Sequence, residues 1–323
     1  MKILLTCPPM IARIEQYKKI LKEKKIEIFI PPDFVQTCSE KELLQLVPNF
    51  DGWIVGDDTA SREILEKGKK GKLRAVVKWG IGTDNIDKDA CKSLGLFFTN
   101  TPGMFNEEVS DVAIGYLLCL TRQLVQIHNR VLQFQWHKPP GYTLVDKKIA
   151  VVGFGNIGQA VVRKLLGFTN NIMVSDPFYK NLDSEMGKIE PEVLYPSISN
   201  VKVRSLDIAL KDAFAVILCC PLNKHTYHLI KKEELSVMKK GSFIINVGRG
   251  PVLCEEDLLV HLRDGHIQAA ALDVFEEEPL SRESELRQFD NCIFGTHNSS
   301  NTYEAVDKTS CKVIDIIFDS LVA

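Results

Sequence analysis

A chain of 323 residues, 45% hydrophobic and 25% charged, has the make-up of a soluble globular protein and is long enough for two cores rather than one. Forty basic residues against forty-two acidic ones leave a net charge of −2, which gives no global electrostatic reason to bind nucleic acid or an anionic membrane. Nine cysteines without a CxxC pair, most of them inside apolar runs, point to reduced thiols in a cytoplasmic protein, with neither a disulfide framework nor a metal site.

The opening MKILLTCPP is a poor secretory leader, because its apolar run is short and stops at Pro8-Pro9; it reads as a first buried strand. Strand-like runs follow at ILLT (3–6), IEIFI (26–30), GWIVG (52–56), RAVVKW (74–79) and LFFTN (96–100). Between them IARIEQYKKILKEKK, SEKELLQL, SREILEKG and DKDACKSLG carry helical spacing. Such alternation implies a doubly wound parallel sheet. One long helical stretch is then expected from Glu107 to Phe134, too interrupted by acidic residues to span a membrane. A second alternation comes next, in KKIAVVGF, NIMVSD, FAVILCC, SFIINVG, IQAAALDVF and NCIFGT, and an amphipathic helix, YEAVDKTSCKVIDIIFDSLV, closes the chain. Phe178–Val203 reads as an irregular surface loop with room for one short helix.

The expected layout is an α/β protein in which a nucleotide-binding domain (102–297) is inserted into a substrate-binding domain (1–101 and 298–323). Two chain crossings, near Asn100–Gly103 and Gly295–Asn298, would form the hinge.

In KKIAVVGFGNIGQAVVRKLLG, Gly153, Gly155 and Gly158 stand at G-x-G-x-x-G spacing between a strand and a helix. The first permits a tight turn, the second lets the backbone approach a pyrophosphate, and the third brings helix against strand; the helix N-terminus adds amide donors and a positive dipole. Alone this spacing is weak evidence, but the next strand ends in Asp176, 23 residues past the first glycine (176 − 153). There a carboxylate accepts bonds from the adenosine ribose. A carboxylate repels a 2′-phosphate, and the following PFYK offers Lys180 but no arginine, so NAD is expected rather than NADP.

Further strand ends of the second half carry Arg249 (INVGRGPV), Asp273 and Glu278 (LDVFEEEP) and His297 (FGTHNSS). Singly each has an ordinary structural explanation: a helix cap, one of three consecutive glutamates, one of seven histidines. Together, at successive strand ends, they supply a cation, an acid–base group and a carboxylate to tune it, the set that reduction of a 2-oxo acid requires.

The run KWGIGTDNID, NTPGMFNEEVSDVAIGYLL, VVGFGNIGQ, CCPLNKHTYHLI, INVGRG, AAALDVFEEEPL and THNSS, spanning about residues 50–305, resembles the D-isomer-specific 2-hydroxyacid dehydrogenases, nearest their phosphoglycerate dehydrogenase and hydroxypyruvate/glyoxylate reductase branches. The resemblance implies two Rossmann-like domains with substrate in the cleft between them, NAD as cofactor, a small 2-oxo/2-hydroxy acid as partner, and a homodimer built through the nucleotide domain. Arg249 would bind the substrate carboxylate and carbonyl, His297 would exchange the proton, and Glu278 would pair with His297 and favour its charged form. Asp273 would receive the nicotinamide carboxamide; Asn156, Ile157, Cys220, Pro221, Val247 and Gly248 would line the cofactor; Ile81 and Gly82 would hold the substrate carboxylate through backbone N–H groups. The wider family's formate dehydrogenases have glutamine where Glu278 stands, which argues against that activity.

Phosphate recognition is left open. Where phosphoglycerate dehydrogenases carry an Arg-Ser pair this chain reads Gly56-Asp57-Asp58, and two acids would repel a phosphate. Lys78 and Lys138, however, stand where the phosphate-binding branch has basic residues. An alternative of another class is a non-enzymatic NAD(H)-sensing protein of the co-repressor type, which shares this fold.

Overall fold

The computed structural model describes residues 1–179 and 201–322. Contacts divide them into two compact units, one formed by residues 1–105 with 300–322 and the other by residues 106–299.

In the first unit β1 (Lys2–Thr6), β2 (Glu27–Phe29), β3 (Gly52–Val55), β4 (Ala75–Lys78) and β5 (Phe97–Thr99) pair in parallel in the order β2-β1-β3-β4-β5. β3 and β4 are buried along their whole length, as Trp-Ile-Val and Ala-Val-Val sequences require when helices cover both faces. Two of the connecting helices start at serine side-chain caps. Ser39 and Glu42 form a capping box at Glu40–Leu46, and Ser61 accepts from the Ile64 N–H at Arg62–Lys70. The closing helix Tyr303–Val322 buries Val306, Val313, Ile314 and Ile317, and Trp79 on this unit donates to Ser310 at 3.2 Å.

The second unit contains β6 (Ile149–Val152), β7 (Ile172–Ser175), β8 (Val201–Val203), β9 (Ala215–Leu218), β10 (Ser242–Asn246), β11 (Ile267–Leu272) and β12 (Ile293–Phe294). All pairings are parallel, in the order β12-β11-β10-β9-β6-β7-β8. The order reverses direction at β6, so the strand bearing the glycines sits at the topological switch point, where doubly wound sheets bind ligands.

Two expectations need correction. The stretch from Glu107 to Phe134 is not one helix but two, Asn106–Arg122 and Leu124–Leu132, broken at Gln123, whose φ is 54°. The break is held by the returning chain: Tyr142 N–H donates to the Thr121 carbonyl at 2.9 Å and the Gln123 amide to the Pro140 carbonyl at 3.0 Å. The expected loop Phe178–Val203 ends in a strand, β8, whose Val-Lys-Val completes the sheet edge beside β7. Residues 180–200 lie outside the described residues.

The closing helix is tied to the rest of the first unit by a charged cluster. Arg13 donates from Nε and Nη2 to the two carboxylate oxygens of Asp307 at 2.7 and 2.6 Å, and Tyr17 adds a third bond at 2.7 Å. The Arg13 guanidinium first, then the Tyr17 hydroxyl, holds the Asp307 carboxyl below its ordinary value. A carboxylate depressed in the folded state stabilises it above the unfolded pKa, and the contribution is lost as pH falls through the folded one. Asp307→Asn is therefore expected to lower the urea midpoint modestly at neutral pH, and the wild-type and variant midpoints should converge in acid. A gap independent of pH would refute the ion-pair origin.

Candidate active site

The cofactor cradle begins where β6 ends. Gly153 adopts φ +93°, and a Cβ on it would lie 2.7 Å from the Cys220 backbone nitrogen. A Cβ on Gly158 would lie 2.0 Å from the Gly153 carbonyl oxygen, so only glycine lets the helix Asn156–Leu165 start this close to the turn. Among the described residues, nothing beyond its chain neighbours lies within 4 Å of a Cβ on Gly155, and no side chain caps the helix. The first-turn amides are thus left to a ligand, as a pyrophosphate site needs. Ile157 is half-buried and Asn156 exposed at this terminus.

Asp176, immediately past β7, accepts from the Phe154 N–H at 2.7 Å with Oδ2 and from the Phe178 N–H at 2.9 Å with Oδ1. The glycine turn and the acidic residue are therefore fixed to each other, and each oxygen keeps a lone pair for a ribose hydroxyl. A cavity of about 1070 Å³ opens here, lined by Gly153, Asp176, Arg204, Cys220 and Pro221 among others. Burial pushes the Cys220 thiol up to about 12, so it lines the wall as an unreactive thiol. Arg204 was not anticipated: it reaches the cavity from the end of β8, far along the chain from Asp176, and its guanidinium donates to the Val203 carbonyl at 2.7 Å. Lys180 lies outside the described residues. The residues present fit a dinucleotide.

The chemical groups occupy the ends of β10, β11 and β12. Beyond β10, buried Asn246 shapes the turn: its amide donates to the Arg249 carbonyl at 2.9 Å, and its Oδ1 accepts from the Gly248 N–H at 3.1 Å. Val247 is buried, and the half-buried Arg249 donates to the Gly248 carbonyl at 2.9 Å. A Cβ on Gly250 would lie 1.8 Å from the Phe275 carbonyl oxygen, so the arginine turn packs directly on the backbone that leads to Glu278. There Glu278 Oε1 accepts from the Phe275 N–H at 3.0 Å. Its Oε2 lies 2.8 Å from His297 Nδ1, with side-chain exposures of 34% for the histidine and 35% for the glutamate.

His297 has φ 55°, and its N–H donates to the Asp273 carbonyl at 2.7 Å, which turns the ring back toward Glu278. Asp273, 2% exposed, accepts from the Tyr116 hydroxyl at 3.1 Å with Oδ1 and from the Ser299 N–H at 2.9 Å and the Ser299 hydroxyl with Oδ2. One lone pair on Oδ1 stays available for an amide donor. Asn246, Tyr116 and Ser299 were missed because bracing residues carry no spacing signature.

Lys78, Ile81 and Gly82 belong to the first unit, at and beyond the end of β4. Lys78 is 4% exposed; its ammonium donates to the Gly56 carbonyl and lies 3.6 Å from Asp57. Ile81 and Gly82 are half-buried, and the Ile81 carbonyl accepts from Asn100 at 2.7 Å. Lys138 is exposed in the second unit.

A glycine cradle at the switch point and an Arg, Glu–His set at neighbouring strand ends define a dinucleotide-dependent oxidoreductase. Residues 114–299 match the family model for the NAD-binding domain of D-isomer specific 2-hydroxyacid dehydrogenases. The chain is 34% identical over 274 residues to a glyoxylate reductase of Thermofilum pendens, covering 83% of this chain and 77% of that one. It is 32% identical over 285 residues to a hydroxypyruvate reductase of Thermotoga maritima, covering 87% and 88%. A solved structure of a Thermus thermophilus protein superposes with a TM-score of 0.84 at 26% identity, over 99% of this chain and 97% of that one. The chain belongs to the D-isomer specific 2-hydroxyacid dehydrogenase family, and it is an NAD-dependent oxidoreductase of 2-hydroxy acids.

The two glycines separate binding from folding. Gly155→Ala is expected to leave stability within about 0.5 kcal/mol while weakening NADH about tenfold, ~1.4 kcal/mol, because its methyl enters the ligand's space. Gly158→Ala should lose both stability and binding. Denaturation curves with NADH fluorescence titration check this; unimpaired NADH affinity in Gly155→Ala would contradict the cradle.

Proposed function

We propose that this enzyme reduces a small unphosphorylated 2-oxo acid, of the glyoxylate or hydroxypyruvate type, with NADH, and that Arg249, Glu278 and His297 carry the chemistry. The observation that carries the reading is the 2.8 Å contact between Glu278 and His297 Nδ1. With Nδ1 engaged by the carboxylate, Nε2 is the nitrogen left to face a substrate. NADH, when bound, would supply the hydride for the carbonyl carbon. The guanidinium of Arg249 binds the substrate carboxylate and draws electron density onto the carbonyl oxygen. His297 delivers the proton from Nε2 to that oxygen, and Glu278 fixes the ring through Nδ1 during the transfer. Asp273 offers its remaining acceptor site to the nicotinamide carboxamide, and Asp176 holds the adenosine ribose.

The preference for an unphosphorylated acid rests on the first unit. Lys78 is committed to the Gly56 carbonyl and to Asp57, so it brings no surplus positive charge for a phosphate. The reductase names of the two relatives point the same way. Initial rates of NADH oxidation over a panel of 2-oxo acids test the proposal. Glyoxylate or hydroxypyruvate should be turned over at least about tenfold more efficiently than phosphohydroxypyruvate. His297→Ala and Arg249→Ala should each fall about 10²–10⁴-fold in kcat/KM. Activity of both variants within tenfold of wild type would sink the assignment, and NADH binding without turnover of any acid would replace the enzyme with a sensor.

The further reading is a cytoplasmic homodimer. All nine cysteines are free thiols, which suits a reducing compartment. On the second unit a run of apolar side chains is exposed after the Gln123 break: Leu132 at 66%, Phe134 at 100%, Trp136 at 82% and Val145 at 60%. Large apolar side chains left this exposed are what an isologous interface could bury. Light scattering of the wild type should give twice the chain mass, and the double variant Phe134→Asp, Trp136→Asp should give the monomer. A monomeric wild type would end this reading.

A further inference from the structure

Beside the catalytic groups, and using none of them, the second unit brings together His228, Cys254 and Glu276, whose donor atoms all lie within 4.8 Å of one another. We propose that these three side chains bind one zinc ion. Imidazole nitrogen, thiolate sulfur and carboxylate oxygen are the three donor types zinc accepts, and thiolate with carboxylate balances its double charge.

One pair of donors already has nearly the spacing of a loaded site, and the Cys254 sulfur lies within 4.8 Å of both. His228 Nε2 and Glu276 Oε1 are 3.0 Å apart. Two ligands on a tetrahedral zinc, with bonds of about 2.0–2.1 Å, are about 3.3 Å apart. That contact is now a hydrogen bond; on loading, the Nε2 proton moves through solvent to Nδ1, and the freed lone pair and the carboxylate oxygen turn to one shared cation. The thiol proton leaves to solvent as the sulfur ligates.

The three donors come from separate segments that the backbone already fixes to one another. Cys254 N–H donates to the Ile230 carbonyl at 2.9 Å and His228 N–H to the Pro251 carbonyl at 2.7 Å. Glu255 N–H donates to Glu276 Oε1 at 2.9 Å, and Glu276 N–H returns a bond to Glu255 Oε1 at 2.7 Å. The ring of Tyr227 stacks on His228 at 4.1 Å and 19°, which limits its rotation. Such outer contacts orient ligands in metal sites. His228 and Glu276 keep side-chain exposures of 29% and 33%, so the fourth position faces water. The ion would clamp the segment that follows Arg249 to the loop that leads into Glu278, a structural role outside the hydride chemistry.

The test uses the reduced full chain after chelation and desalting. Zinc is titrated against a chromophoric chelator, and cobalt(II) is followed through its thiolate charge-transfer absorption. One zinc per chain and a thiolate–cobalt band are expected. Cys254→Ser should abolish the band, and both Cys254→Ser and His228→Ala should weaken zinc about 100-fold or more, beyond the 10–100-fold that losing an outer-shell partner costs. NADH titration confirms that each variant is folded. No bound zinc in the wild type overturns the site, and so does a cobalt band that survives in Cys254→Ser, which would place the metal on another of the nine cysteines.

Discussion

Parallel pairing is the constraint on which the rest of the second unit depends. Because β10, β11 and β12 run in the same direction side by side, the residues just past their ends emerge at one edge of the sheet. Arg249, Asp273 and His297 are such residues, and Asp176 and the glycine turn stand at the same edge further along. The strand ends are also coupled by backbone bonds: Asp273 N–H donates to Asn246, and His297 N–H donates to Asp273, at 3.0 and 2.7 Å. A shift of one strand would therefore displace more than one catalytic candidate.

Much of this was legible because it is periodic or local. Most of the strands announce themselves as short runs of Ile, Val, Ala and Phe between polar turns, and the glycine spacing needs a strand before it and a helix after it, both readable nearby. Arg249, Glu278 and His297 could be singled out as candidates because chemistry restricts the residue types and the sheet restricts the places. What escaped notice depends on contacts distant in sequence. The helix break at Gln123 answers to a hydrogen bond that Gln123 gives to the Pro140 carbonyl and one that the Tyr142 N–H gives to Thr121, which helical periodicity cannot register. β8 is only three residues long, and its amphipathic Val-Lys-Val gains its pairing from β7. Tyr116 reaches Asp273 across 157 residues of chain, and Ser299 from 26 residues on.

The two carboxylates that follow β11 illustrate how environment divides labour between similar groups. Asp273 is sealed in and braced by two neighbours, so its charge is spent on holding the strand end and one acceptor site remains. Glu278 splits its oxygens: one fixes its own loop through Phe275, and the other meets the imidazole. A group with a single anchored oxygen can keep its position while the second oxygen follows the charge of the histidine, which a fully sealed carboxylate cannot do.

Environment also changes what the Gly56-Asp57-Asp58 stretch would present to a phosphate. In the sequence, two adjacent acids imply simple repulsion. In the fold Asp58 is 1% exposed and takes its bond from the Cys38 N–H at 2.7 Å, and burial pushes its carboxyl up toward the neutral form. Asp57 accepts from Gln36 at 2.7 Å and lies 3.6 Å from the Lys78 ammonium. Little bare negative charge is left to repel anything. The lysine that could have gripped a phosphate is instead drawn inward, where leaving its ammonium without the Gly56 carbonyl and Asp57 would cost far more than a solvent-exposed contact could return. On the proposed reading, discrimination against a phosphorylated acid would come from a cation already engaged rather than from an acidic wall.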